Sequence, residues 1–354
     1  MGAHAPQHVW TLLRTHAKWW RVLIALVIVT GVAILLPRLA GTHWSDIGTA
    51  LGAVHAPGAI LLVTLWFAGL VAYAGVLTAS MPGLSRRRAL TLNLTGGAVA
   101  NVLPLGGAAG MGLNYAMCRT WGFRGRDFAR LTIVSSVSHA VFKLLLPIVA
   151  LVLLLIHGGR HGTTLLIASS IGIGALLVVL AVAPPIVRRT RFADVLRDVE
   201  SLLRRAWPAI TASLTIYTAL QFALLLLALR LVGAHLGFAE IFAAFALERV
   251  LTMIPFTPGG SGFVELGMTG LLLTFGSDHV AIAAAVVVYR TCIFLLEIPV
   301  GFVWLGAWGW VHRRRRGLAV AGPPAVVLTK PVVLTKPVAP TGHTASSEPT
   351  TKAG

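Results

Sequence analysis

Seven ionisable residues lie inside stretches that are otherwise apolar: His139, Lys143, Glu248, Arg249, Glu265, Arg290 and Glu297. Charge at membrane depth is costly, so such residues line a cavity, relay protons or pair with one another. His139 precedes Lys143 by four residues, which puts both on one face of a helix. One reading gathers the set into a substrate-binding pocket. Lys143, Arg249 and Arg290 would hold a phosphate-bearing group there, and Glu248, Glu265 and Glu297 would balance them when it is empty. Arg suits that task because its planar fork binds phosphate through two parallel hydrogen bonds. Glu248 or Glu265 would then couple movement to protons. The competing reading is that the same residues form internal ion pairs that only fix helix packing.

Two runs of helix breakers adjoin this set. The first reads Asn101-Val-Leu-Pro104-Leu-Gly106-Gly107-Ala-Ala-Gly110, and the second Pro255-Phe-Thr-Pro258-Gly259-Gly260-Ser-Gly262. Proline removes a backbone donor, and glycine is the poorest helix former after it. A helix starting just after Gly110 or Gly262 would aim free N–H groups at the protein centre, where they could bind an anion. Alternatively the glycines only make the turn and allow close packing. Asn93, Asn101 and Asn114 add neutral polar groups near the first run.

Other chemistries find little support. His157 and His161 have a metal-compatible spacing only on a helix, and Gly158-Gly159 between them argues for a loop, so no metal is expected. Gly106 to Gly112 has no βαβ context for a dinucleotide, and no nucleophile with an oriented base is visible. No cofactor is expected.

The elements that must position these residues are membrane helices. Hydrophobic residues make up 56% of the 354 and charged ones only 11%, against about 25% charged in soluble domains. Several uncharged stretches reach the roughly 20 residues that span a bilayer as a helix. The formal net charge of +18 sits in short clusters between apolar segments, as the positive-inside rule requires, and not in one polar patch, which excludes a nucleic-acid partner. Two cysteines, Cys118 and Cys292, are too few for a disulfide framework.

The clusters set an orientation. Arg14, Lys18 and Arg21, with Trp19 and Trp20, hold the N-terminus in the cytoplasm. The run Val22 to Leu36 is an uncleaved first helix, since Pro37-Arg38 makes a poor cleavage site. Further spans are expected over Ala59 to Ala79, Leu131 to Ile156, Thr163 to Val187, Ala209 to Val232 and Val280 to Val311. A separate amphipathic helix over Phe192 to Trp207 would lie on the inner leaflet. Arg313 to Arg316 return the chain to the cytoplasm.

Ala89 to Cys118 is flanked by basic clusters on both sides, Arg86 to Arg88 and Arg119 to Arg130. A single crossing would place one cluster outside, so this segment is expected to be a re-entrant hairpin broken at Asn101 to Gly110. Phe238 to Phe275 repeats the pattern from the opposite face. The expected fold is therefore an all-α polytopic membrane protein with about six spanning helices and two re-entrant hairpins in an inverted-repeat arrangement. Residues 1–20 are expected to form a cytoplasmic segment, 21–316 the membrane domain, and 317–354 a disordered cytoplasmic tail, Pro- and Thr-rich, with a repeated Val-Val-Leu-Thr-Lys-Pro.

Asn93-x-x-Gly96-Gly97-x-x-x-Asn101-x-x-Pro104-x-Gly106-Gly107, then Glu248-Arg249, Pro255-x-x-Pro258-Gly259-Gly260-x-Gly262-x-x-Glu265 and Arg290, resembles the flippase-like membrane domain of the lysylphosphatidylglycerol synthase family. The resemblance covers about Arg21 to Arg316. It implies a multi-pass protein that moves lipids or lipid-linked anions between leaflets, and it does not identify the lipid. Together with the charged set above, the expectation is a plasma-membrane protein that moves an anionic phospholipid or a polyprenyl phosphate, with membrane lipids as partners and a protein partner or homo-oligomer admitted. The family's bifunctional members carry a soluble aminoacyl-transferase domain, for which this sequence has only a short tail, so synthase activity is not expected. Two alternatives stay open: an intramembrane transferase with Glu248 or Glu265 as general base, and a non-catalytic partner of envelope-lipid enzymes.

Overall fold

In the computed structural model, the described residues are 30–31, 33–103, 106–156, 193–253, 257, 260–276 and 278–320, and all regular structure among them is helical. They fall into two compact units, Met1–Gly309 and Trp310–Gly354. In the second unit the described residues, 310–320, are helical. The first unit holds everything that concerns the site.

After a helical stretch at 33–40, short α1 (Trp44–Leu51) leads to α2 (Ala56–Ser80). Pro57 fits at the start of α2, where its missing N–H is an orphan anyway. Ser85 caps α3 (Arg86–Val102), its hydroxyl accepting from the Arg88 N–H at 3.4 Å. The chain breaks at Leu103 and resumes as α4 (Gly106–Thr120), which packs back along α3. α5 (Gly125–Ile156) follows and runs through Pro147 unbroken.

α6 (Ala193–Leu231) corrects one expectation. The amphipathic stretch after Phe192 is not a separate helix: it continues through Pro208 into the next span. Proline costs one ladder hydrogen bond, and membrane helices tolerate it when neighbours compensate. Arg204 and Arg205 are exposed on this helix.

A second helix pair follows, α7 (Phe238–Leu251) and α8 (Phe263–Thr274), packed on one another. α9 (His279–Arg290) is capped by the Asp278 carboxylate, which accepts from the Val280 N–H at 2.9 Å. The last expected span is then interrupted. Thr291–Leu295 forms a π turn before α10 (Glu297–Val320), with the Leu296 N–H donating to the Thr291 carbonyl at 2.8 Å.

Four helical stretches among the described residues are long and apolar enough to cross a membrane: Ala56–Ser80, Gly125–Ile156, Arg204–Leu231 and His279–His312. Most of the expected first helix and all of the expected span Thr163 to Val187 lie outside the described residues, as do 1–20 and 321–354. Large apolar side chains stay exposed on these helices, among them Ile60 at 66%, Ile156 at 72% and Val303 at 74%. Water would penalise such surface, whereas lipid accepts it. The protein is an all-α membrane protein.

α2 packs along α6, α5 along α7, and α9 against α6 and α8. The main core cluster fills the space between them, with Trp66, Leu225, Phe245, Met268 and Tyr289 buried. Both helix pairs thus abut one core.

Candidate functional site

Glu248 and Arg249 sit in the last turn of α7, and both are buried. An isolated buried ion is so costly that the two must satisfy each other. The Arg249 guanidinium grips its neighbour's carboxylate with two prongs: Nε donates to Oε2, and Nη2 donates to Oε1 at 2.7 Å. Tyr289 of α9 joins them. Its hydroxyl accepts from Arg249 Nη2 at 3.0 Å and donates to Glu248 Oε2 at 3.4 Å. The guanidinium also lies 5.1 Å from the ring centroid of Phe245, one turn earlier. Nη1 of Arg249 has no partner among the described residues.

Lys143 of α5 reaches the same place from another helix. Its Nζ donates to the Thr252 hydroxyl at 2.9 Å, and that hydroxyl donates to the Arg249 carbonyl at 2.7 Å. Lys143 is half-buried, with no carboxylate in salt-bridge range among the described residues.

A second Arg–Glu pair forms where α8 meets α9. Arg290 Nε donates to Glu265 Oε1 at 2.8 Å, Nη2 lies 3.4 Å from the Ser261 hydroxyl, and the guanidinium is 5.0 Å from the Phe294 ring centroid. Glu265 Oε2 accepts from the Gly262 N–H at 2.7 Å. Here the structure modifies an expectation: the N–H at the start of α8 that was a candidate for an external anion is taken by the chain's own carboxylate. Gly260 and Gly262 have φ of 72° and 90°, a region that side chains resist, so glycine is needed at both.

The first helix pair contributes no charge. Asn101, near the end of α3, donates from Nδ2 to Glu297 Oε2 at 3.0 Å. A Cβ on Gly97 would collide with the Glu297 carboxylate, and one on Gly301 with Ala98 and the Leu94 carbonyl, so α3 and α10 touch nearly backbone to backbone. Trp304 Nε1 donates to the Thr91 hydroxyl at 3.0 Å further along the seam. Asn93 Nδ2 donates to the Leu70 carbonyl at 3.2 Å and ties α3 to α2. Within the pair, a Cβ on Gly106 would strike the Ala100 backbone and one on Gly110 would lie 2.5 Å from the Gly96 carbonyl, while Gly107 faces open space. α4 begins at Gly106, not after Gly110 as expected, because the Gly106 N–H closes the turn onto the Leu103 carbonyl at 2.8 Å.

These residues converge. A cavity of about 270 Å³ is bordered by Lys143 and His139 of α5, Glu248 and Arg249 of α7, Arg290 of α9, Glu297 of α10, and Asn93 and Asn101 of α3. Glu265 is absent from its wall and stands behind Arg290. Pro104, Pro255, Pro258 and Gly259 lie outside the described residues. Sequence reasoning missed the neutral wall, made by Tyr73, Tyr217, Gln221 and Thr252. Tyr217 and Gln221 are four residues apart, and Gln221 Nε2 donates to the Tyr217 hydroxyl at 3.2 Å; polar residues at helical spacing inside an apolar span were the available signal. The His139 ring packs on Tyr73 and Tyr217, centroids 5.2 and 5.6 Å away.

Electrostatically the site holds two neutralised pairs, Arg249–Glu248 and Arg290–Glu265, plus two charges on neutral partners, Lys143 on a hydroxyl and Glu297 on an amide. In a medium of low dielectric such charges act strongly on any ion that enters.

A family model described as the lysylphosphatidylglycerol synthase TM region matches residues 22–301. The match spans both helix pairs and every residue named on the cavity wall. No curated protein matches the chain.

Proposed function

This chain belongs to the lysylphosphatidylglycerol synthase transmembrane-region family, and from that premise we propose that it moves an anionic phospholipid or a lipid-linked phosphate from one leaflet to the other. One observation carries the reading: a cavity between membrane helices presents Lys143, Arg249 and Arg290 together. Cations at that depth exact a desolvation cost that packing alone does not require, and a phosphate is the group that three of them, two with planar forks, would recognise. The phosphate enters the cavity while the acyl chains stay in lipid. No bond is made or broken, and the protein acts as a transporter rather than an enzyme.

In this reading the two helix pairs are re-entrant hairpins that dip from opposite faces, related as inverted repeats, with the cavity near the midplane between them. Both termini face the cytoplasm and the membrane is the plasma membrane, as the basic clusters at Arg86 to Arg88 and Arg313 to Arg316 favour.

The test is leaflet exchange of a fluorescent anionic phospholipid in liposomes holding the purified protein. Wild type is expected to accelerate exchange, and Arg290→Gln or Arg249→Gln to abolish it while the protein still inserts. Unchanged exchange in both variants would sink the site assignment. A new lipid species in the same liposomes would sink the transporter reading and favour a transferase.

A further inference from the structure

Glu297 differs from the other acids of the site. Glu248 and Glu265 are each neutralised by an arginine, whereas Glu297 accepts only from the Asn101 amide among the described residues. Lys143 is its counterpart, a cation held among the described residues only by the Thr252 hydroxyl. With every group ionised, the three bases Lys143, Arg249 and Arg290 and the three acids Glu248, Glu265 and Glu297 cancel, so among the described residues the empty site is neutral. An entering phosphate adds negative charge that no spare cation among the described residues meets. Buried uncompensated charge is costly, and the least costly remedy is to neutralise the acid that has no arginine.

We propose that Glu297 takes up a proton when an anionic head group enters the cavity, so that anion and proton bind and move together. This rests on the transport reading above and names its coupling. The step makes one O–H bond and breaks one: a hydronium ion from solution gives its proton to the Glu297 carboxylate, which becomes a carboxylic acid, and is left as water. Lys143, which has no carboxylate in salt-bridge range among the described residues, then faces the phosphate. On release of the anion the proton returns to water and the site regains its net neutrality. A proton gradient across the membrane would therefore drive net movement of the lipid.

Among the described residues, these groups border the cavity that this acid enters. α5 contributes Lys143 and His139, α7 the Glu248–Arg249 pair, α9 Arg290 with Glu265 behind it, and α3 only the neutral Asn93 and Asn101. Tyr73 and Tyr217 complete the wall from α2 and α6. Asn101 is suited to both states of its partner, since an amide donates to a carboxylate through its nitrogen and accepts from a carboxylic acid through its oxygen. Gly97 has no side chain to displace the carboxylate in either state.

The experiment adds a short-chain phosphatidylglycerol to the full-length protein in detergent, in weak buffer, and records binding and proton uptake together across about three pH units. Wild type is expected to take up about one proton per lipid bound, and to bind up to about tenfold more tightly for each unit of pH lowered while Glu297 is ionised in the empty protein. Glu297→Gln mimics the protonated acid, so it should bind with the affinity that wild type reaches only at low pH, without pH dependence and without proton uptake. Lipid binding by wild type with no proton uptake would overturn the proposal, whatever the variant does, and leave the transport reading standing. Proton uptake that persists in Glu297→Gln would overturn the assignment to this residue and move it to His139. Failure of both proteins to bind the lipid at any pH would overturn the transport reading and this proposal with it.

Discussion

The pair α3–α4 and the pair α7–α8 share an outline, two short helices folded back on each other at a Pro/Gly-rich break, yet they are held by opposite means. α3 and α4 carry no buried charge; Gly96, Gly106 and Gly110 let their backbones touch, and Asn93 and Asn101 tie them outward. α7 and α8 are instead each anchored to α9 by buried charged groups: Glu248 and Arg249 of α7 pair with each other and both reach Tyr289, and Glu265 of α8 pairs with Arg290. One is a neutral wedge fitted by shape, the other a charged clamp fitted by electrostatics. An anion cavity needs both: the clamp supplies attraction, and the wedge closes the site without adding a charge that would need its own partner.

The largest expected effect breaks the clamp. Glu248→Ala leaves Arg249 buried with, among the described residues, only the Tyr289 hydroxyl to accept from it, and removing one member of a buried pair costs about 3 to 5 kcal/mol. Thermal unfolding in detergent should show a much lowered midpoint; a near-native midpoint would mean that water already reaches the pair. Next, Gly106→Ala breaks the wedge, because the new methyl meets the Ala100 backbone, which cannot yield; overpacking of this kind costs about 1 to 3 kcal/mol. Gly107→Ala, one residue on and facing open space, should be neutral or slightly stabilising, and equal losses at the two positions would refute the close-packing account.

A smaller effect is expected along the seam of the wedge. Trp304→Phe removes the hydrogen bond to Thr91 and should cost about 0.6 kcal/mol, a usual value inside a membrane protein. The smallest stability effect should come from Lys143→Gln, within about 0.5 kcal/mol, since Lys143 is half-buried and bonded to one hydroxyl. Its transport should nonetheless fall about tenfold or more, because a charge-assisted bond to phosphate is lost. A large loss of stability with transport intact would place Lys143 in the clamp and not in the cavity.

Much of the architecture was legible in the sequence. The spans over Ala56–Ser80 and Gly125–Ile156 follow from uninterrupted apolar runs, and the two folded-back pairs from breakers set between them. The π turn at Thr291–Leu295 was not legible, because no Gly or Pro marks it. Nor was the continuation of α6 through Pro208, where a breaker is present and the helix ignores it. Both depend on what packs alongside.

The sequence by itself determined that this is a helical membrane protein, and that runs of Pro and Gly around Pro104 and Pro258 separate the members of two helix pairs. Those properties rest on local hydrophobicity and backbone chemistry, which a chain carries whatever it packs against. Only the tertiary structure decided how the charges are shared: that Glu265 binds Arg290, 25 residues away, and that Glu297 meets Asn101, 196 residues away, with no cation on it among the described residues. Charge pairing depends on distances of a few ångströms between helices remote in the chain, and composition and spacing contain no such distances.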